Sequence, residues 1–196
     1  YTIKEHDIKD VIIGLHHKVQ TAESFYGPVV VKIVHRTNKT IFVYKEQQPV
    51  NTLKRMVVAV PHNAEFEEGF QHWFHRLYIM AKETGLAWLV YADGKTSECI
   101  KHLNGQKESP VEIVYNLFEN WNEFLIFSRE VQKNDLFLIV SSRKGYLSYS
   151  KELEKLPYYL TKYFSSNSFI IIYPEQTGNA DDMEARHFDK ALSNDV

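Results

Sequence analysis

The amino-acid sequence predicts an α/β fold built around a parallel sheet, and three observations predict it. Short apolar runs rich in β-branched and aromatic residues alternate with segments of helical period, the pattern of βαβ units. The runs are continuously apolar rather than alternating, which suits strands covered on both faces. A chain of 196 residues, 44% hydrophobic and 24% charged, hides about 70% of its unfolded surface on folding, so it needs neither disulfide nor metal to hold a core.

In chain order, the predicted strands are residues 11–15, 40–44, 55–60, 87–91, 111–117, 136–141 and 169–173. Between the third and fourth, Phe66, Phe70, Trp73, Phe74, Leu77, Met80 and Ala81 recur at helical spacing and form one apolar stripe, so a crossover helix is expected there. Asn63, with Glu65, Glu67 and Glu68 in a first turn, marks its start, and Lys82 and Gly85 mark its stop. Further helices are expected near 97–103, 121–131 and 153–164, the last with Pro157 in its first turn, where a missing N–H does no harm. The spacing of Trp73, Phe74 and Tyr78 is that of a buried face rather than a stacking platform. Tyr158, Tyr159, Tyr163 and Phe164 read equally as core or as an interface patch.

An internal repeat organises these elements. Residues 10–47 and 135–176 share a plan: Asp, four apolar residues, a polar basic loop, a helix with an early Pro, then an aromatic-rich strand. Their matched endings are Tyr44-Lys45-Glu46-Gln47 and Tyr173-Pro174-Glu175-Gln176. Three more strands precede the second copy, whereas only residues 1–9 precede the first. Residues 1–47 therefore read as the C-terminal β-α-β part of one repeat, and 48–53, with Pro49, as a linker. Residues 54–176 read as a complete five-stranded parallel domain, and 177–196, which lack a convincing period, as a loosely ordered tail. The chain opens on Tyr1 rather than Met and reads as a piece of a longer protein.

Several function classes are disfavoured. With 23 basic and 25 acidic side chains, there is no cationic surplus for nucleic acid. Cys99 is the single cysteine, which excludes an intrachain disulfide or a CxxC site and fits a reducing compartment. No run approaches the roughly 18 apolar residues of a spanning helix. Ser141, Ser142, Ser148 and Ser150 lack a GxSxG elbow, and neither GxxxxGK(S/T) nor a GxGxxG after a strand is present, so no enzymatic activity is expected. Nine histidines invite a metal or pH-sensing role. His72 and His75 stand one turn apart, and His16, His17 and His62 stand at strand ends. No thiol or carboxylate accompanies them at zinc-ligand spacing, so no metal is expected. Titration near pH 6.5 would still suit a sensor of pH.

Two resemblances add to this reading. Gly14, His17 and Gly27-Pro28 resemble the phosphate-binding signature of the universal stress protein family, Gly, two residues, Gly, nine residues, Gly, then Ser or Thr. His17 stands for the middle glycine and Pro28 for the hydroxyl, which degrades a motif that needs backbone N–H groups close to phosphate. In the second copy Gly145 takes the middle place with Ser142 before it, and Leu156-Pro157 stands where Gly-Ser belongs. Over residues 11–176 the chain also resembles the cytosolic domain that follows the membrane part of bacterial sodium or cation:proton antiporters. The residues carrying that likeness are Asn51-Thr52-Leu53-Lys54-Arg55, Val60-Pro61-His62-Asn63-Ala64-Glu65, Ser142-Arg143-Lys144-Gly145, Leu156-Pro157-Tyr158-Tyr159-Leu160 and the run from Asn167 to Gln176.

These resemblances imply a universal-stress-protein-like, Rossmann-like or flavodoxin-like three-layer fold, with a five-stranded parallel sheet preceded by the β-α-β end of a second copy. They imply a regulatory or structural domain without catalysis or resident cofactor. It would lie on the cytoplasmic side of the bacterial inner membrane, joined to a membrane-embedded transporter domain of the same polypeptide. The alternative is a soluble universal stress protein binding ATP or another adenine nucleotide. Either way a ligand belongs beyond the carboxyl ends of the strands, where strand order reverses. That point would gather His62, Asn63, Ser141, Ser142, Arg143, Lys144 and Gly145, with Arg143 and Lys144 as phosphate partners and the hydroxyls and Gly145 as an anion nest. Against it, Pro61-His62 replace the acidic residue with which relatives hold adenosine, and Glu65, Glu67 and Glu68 at a helix start would repel phosphate. The family likeness also implies that the last strands of the copies, through Phe42, Tyr44, Phe169, Ile171 and Tyr173, pair with each other or with counterparts in a second chain, giving a pseudo-dimer or homodimer.

Overall fold

Seven apolar strands line up edge to edge in the computed structural model, which describes residues 8–15 and 25–176. In chain order the elements are β1 (Asp10–Gly14), α1 (Gly27–Arg36), β2 (Thr40–Lys45), β3 (Arg55–Ala59), α2 (Phe70–Thr84), β4 (Ala87–Ala92), α3 (Gly94–Gly105), β5 (Ile113–Leu117), α4 (Phe127–Glu130), β6 (Asp135–Val140), α5 (Leu156–Tyr163) and β7 (Ser168–Tyr173). Tight 3₁₀ turns stand at Val50–Thr52, Ala64–Phe66, Trp121–Ile126 and Lys151–Lys155. The strand order is β1-β2-β7-β6-β3-β4-β5. All neighbours are parallel except β2 and β7, which pair antiparallel from Ile41↔Tyr173 to Lys45↔Phe169.

The expected five-stranded parallel array is present as β7-β6-β3-β4-β5, but the sheet does not stop there. Through β2 and β7 it continues into β1 and becomes mixed and seven-stranded. The reason is chemical: TIFVYK and SFIIIY are apolar on both sides, with Ile41, Val43, Phe169 and Ile171 fully buried. Leaving either as a bare edge would strand a row of backbone donors and acceptors. Residues 177–196, expected as a tail, lie outside the described residues.

Helices cover both faces. On one, α2 and α3 lay Trp73, Phe74, Leu77 and Ile100 over Met56, Val58 and Leu138. On the other, α1, α4 and α5 lay Val30, Phe127 and Leu160 over Val57, Phe137 and Ile171. The first half, β1-α1-β2, and the end of the second, β6-α5-β7, have one plan and are related by an approximate twofold through the central Val43↔Ile171 pair. The matched sequence endings slip by one against this axis. Tyr44 faces α2 and α3, whereas Tyr173 faces α1 and α5, so Lys45 rather than Tyr44 is the counterpart of Tyr173.

The crossover helix starts at Phe70, not at Asn63. Asn63 is left-handed (φ 60°), residues 64–66 form a 3₁₀ turn and Glu67 is extended. The capping signals mislead because Glu67 turns inward and is 3% exposed, while Phe66, expected in the stripe, is 39% exposed. Gly85 ends α2 in the left-handed conformation (φ 68°), as a C-terminal glycine should. Residues 121–131 form a 3₁₀ turn and a four-residue helix instead of one long helix. Pro157 does sit in the first turn of α5. Trp73, Phe74 and Tyr78 are core, and the tyrosine cluster divides: Phe164 is buried whereas Tyr158 and Tyr163 are exposed.

At the start of α2, Gly69 donates its N–H to the Glu175 carbonyl at 2.9 Å. A Cβ there would stand 2.4 Å from the Glu175 nitrogen and 2.8 Å from its oxygen, both backbone atoms that cannot turn aside. Gly69→Ala should therefore destabilise the protein by about 1–3 kcal/mol, the usual range for overpacking. Urea denaturation of the variant checks this, and a midpoint unchanged from the parent would contradict it.

Candidate functional site

Strand order reverses between β3 and β6, so the crevice expected to hold a ligand lies beyond Ala59 and Val140. The two loops named from the sequence do meet there, Asn63 Nδ2 reaching the Leu147 carbonyl at 3.5 Å. Gly145 bends the second loop through φ 92°. The donors nearby are already engaged by the chain itself. Ser148 gives its backbone N–H (2.9 Å) and its hydroxyl (2.6 Å) to one carboxylate oxygen of the buried Glu67. An internal carboxylate thus takes the two donors that an incoming anion would need. The expectation that Glu65, Glu67 and Glu68 line a helix N-terminus and repel phosphate is corrected: α2 has no acidic residue in its first turn, and Glu67 acts as a ligand of the loop.

His62 is engaged by the chain itself. Its Nδ1 lies 3.1 Å from Asp93 Oδ2, and its Nε2 contacts the Glu119 carbonyl. Asp93 caps α3, accepting from Lys95 N (2.9 Å), Thr96 N (3.0 Å) and the Thr96 hydroxyl (2.8 Å). Burial alone would push the Asp93 carboxyl up. The hydrogen bonds from Thr96 and Lys95 and the neighbouring His62 outweigh it, so its pKa falls below the usual value.

Arg143, expected as a phosphate partner, clasps the two halves together. Its guanidinium donates to Val34 O (3.1 Å) and Lys39 O (2.8 Å) in the first half, and to Pro174 O (2.5 Å) and Gln176 Oε1 (3.3 Å) beyond β7. Burial pushes its pKa down. Gln176 extends the clasp: its N–H donates to Asn38 O at 2.9 Å and its side-chain amide to Ser142 Oγ at 2.9 Å. Beside it, Lys39 pairs with Glu175 at 2.9 Å. Sequence reasoning named Ser142 and Arg143 but missed Gln176 as their partner and Glu175 as the partner of Lys39, although both lie in the repeated ending. It also missed Asp10 at the start of β1, held by His72 Nε2 and Arg76 Nη2, each at 2.6 Å.

The remaining named residues are dispersed. Gly14 ends β1 and Gly27 opens α1 with φ 63°, while His17, which completes their motif, lies outside the described residues, as does His16. Phe42, Tyr44, Phe169, Ile171 and Tyr173 meet in the β2–β7 ladder within this one chain. Among the described residues no group of three or more His, Cys, Asp or Glu side chains could hold a metal ion. No helix there is long and apolar enough to cross a membrane.

A further cleft lies between α1 and the loop after β6. It has a volume of about 720 Å³ and is lined by Tyr26, His35 and Arg36 from the first half and by Ser141, Arg143, Lys144, Tyr149 and Tyr173 from the second. Neither His62 nor Asn63 reaches it. At its floor the Tyr173 hydroxyl donates to Tyr26 Oη at 2.9 Å. Burial pushes both phenols above their usual pKa, so they stay protonated. Two cations not tied into the joint, Arg36 and Lys144, line the cleft with one carboxylate, Glu154, which accepts from the Tyr149 hydroxyl. These groups can hold an anion.

No protein-family model and no curated protein matches the sequence. Among solved structures, the chain is similar to a universal stress protein from Archaeoglobus fulgidus DSM 4304, with 13% identity and a TM-score of 0.53. The match covers 89% of this chain and 63% of that one, so this chain spans less than two thirds of that protein's length. The likeness shows the fold, an α/β three-layer arrangement of universal-stress-protein type.

Because the Asp93 carboxyl is depressed in the fold, it contributes stability above its unfolded value of about 4, and that contribution is lost as pH falls through the lower folded value. Asp93→Asn should be less stable than the parent at pH 7, with the gap closing as pH falls below about 4. Urea midpoints measured across that range test the sign; a constant gap would contradict it.

Proposed function

We propose that this chain is a non-catalytic regulatory or structural module of universal-stress-protein fold, the cytosolic part of a bacterial cation:proton antiporter. Its partner is then the membrane-embedded transporter domain of the same polypeptide, and it works at the cytoplasmic side of the inner membrane. The supporting observation is the use made of the phosphate-binding residues. Arg143 is tied into four carbonyl-type acceptors across the two halves, and the donors of Ser148 close on Glu67. A loop that elsewhere would answer to a nucleotide is built here into a rigid joint. Such a joint suits a body that passes force or position to a neighbouring domain. The stretches 51–55, 60–65, 142–145, 156–160 and 167–176 supply the transporter likeness.

A second reading, a nucleotide-binding stress protein, is favoured by one observation. Arg36 and Lys144 line the cleft and have no ion pair among the described residues. Calorimetry with ATP and AMP separates the readings. The module reading expects no binding tighter than about millimolar, whereas micromolar binding lost in Lys144→Glu supports the second. The coding sequence tests the transporter part: several apolar spans of about 20 residues should precede Tyr1, and a reading frame without them overturns it.

A further inference from the structure

β1 closes one end of the sheet, and among the described residues its outer edge is unpaired. The approximate twofold makes β6 its counterpart, and the outer edge of β6 is filled. There β3 runs parallel in five pairs, from Arg55↔Asp135 to Ala59↔Ile139. Pairs Asp10↔Thr40 and Leu136↔Ser168 align the two strands so that Ile12 corresponds to Leu138. Leu138 is 0% exposed; Ile12 is 76% exposed. Val11 and Ile13 are only partly buried, whereas their counterparts Phe137 and Ile139 are fully buried. One half of a symmetric pair therefore exposes what the other half keeps as core, together with a row of backbone donors and acceptors that have no strand partner among the described residues.

We infer that the outer edge of β1 and the face around Ile12 are a docking surface for a parallel three-stranded α/β unit of the same plan as β3 to β5, supplied by polypeptide ahead of β1. Three features select this occupant. Symmetry requires a strand parallel to β1, as β3 is to β6. The exposed face of Ile12 is the one that α2 and α3 cover in the second half, so the unit must bring helices as well as strands. More than a third of the similar solved chain lies outside the matched part, length enough for such a unit. β1 waits for it already fixed, since Asp10 is gripped by His72 and Arg76. The inference rests on the fold and is independent of the transporter reading.

Hydrogen exchange tests it. In the 196-residue chain, the outward-facing amides of Ile12 and Gly14 should exchange at least about 100-fold faster than those of residues 135–140. In a protein extended by the preceding part of its reading frame, these two amides should slow by at least about 100-fold. Ile12→Asp should leave the melting midpoint of the 196-residue chain within about 1 °C and lower that of the extended protein by several degrees; Ile12→Thr should do the same to a smaller extent. Unchanged exchange of the two amides in the extended protein overturns the inference. So does their slow exchange in a 196-residue monomer, which would mean that the chain covers its own edge. A 196-residue dimer that protects them and is dissolved by Ile12→Asp also overturns it, because the occupant would then be a second copy.

Discussion

The antiparallel union of β2 and β7 is the constraint on which the rest depends. Two strands without a polar face cannot stand as sheet edges in water, and joining them removes both edges at once. Once they are joined, the loop after β6 falls against the end of α1, and Arg143 can reach carbonyls on both sides of the junction. Bonds to a guanidinium carry charge, and an uncompensated buried cation is costly, so these contacts and the ladder reinforce each other. Gly69 lets the start of α2 press against the backbone of 175, which locks the same segment from the opposite face.

That locking bears on function through competition for donors and cations. A switch-point crevice becomes an anion site only when its N–H groups and cations are free and aimed outward. Here Ser148 faces Glu67, Arg143 faces carbonyls, and His62 bridges the α3 cap to the turn at Glu119. What cationic capacity is left, on Arg36 and Lys144, has moved to the seam between the halves. The fold is shared with a universal stress protein, while the place where this chain could meet an anion follows from the way its halves are fused.

The strands and the repeat were legible because apolar runs and a shared plan are local properties of sequence. So was the end of α2 at Gly85, where the required conformation is one that glycine alone adopts without strain. The start of α2 was not, since Asn63 and the following glutamates mimic a helix cap while the true partner of Glu67 is Ser148, 81 residues away. Arg143 and Lys144 are neighbours of like charge, yet one is half-buried in the joint and the other is exposed beside the cleft. Nothing local distinguishes them, because the acceptors of Arg143 are mostly backbone carbonyls, which every residue carries. The one-residue slip between Tyr44 and Tyr173 has the same origin: aromatic character matches, but the face of the sheet is decided by the register of pairing.

If the β2–β7 ladder fuses the halves into one cooperative body, it must open only when the whole molecule opens. Native-state hydrogen exchange in rising denaturant, followed at Val43 in β2 and at Val57 in the centre of the sheet, measures this directly. Equal opening free energies and equal denaturant dependence at the two amides are the result expected of a fused body. A Val43 amide that exchanges by a separate, lower-energy opening, with β1-α1-β2 detaching while β3 stays closed, would contradict it.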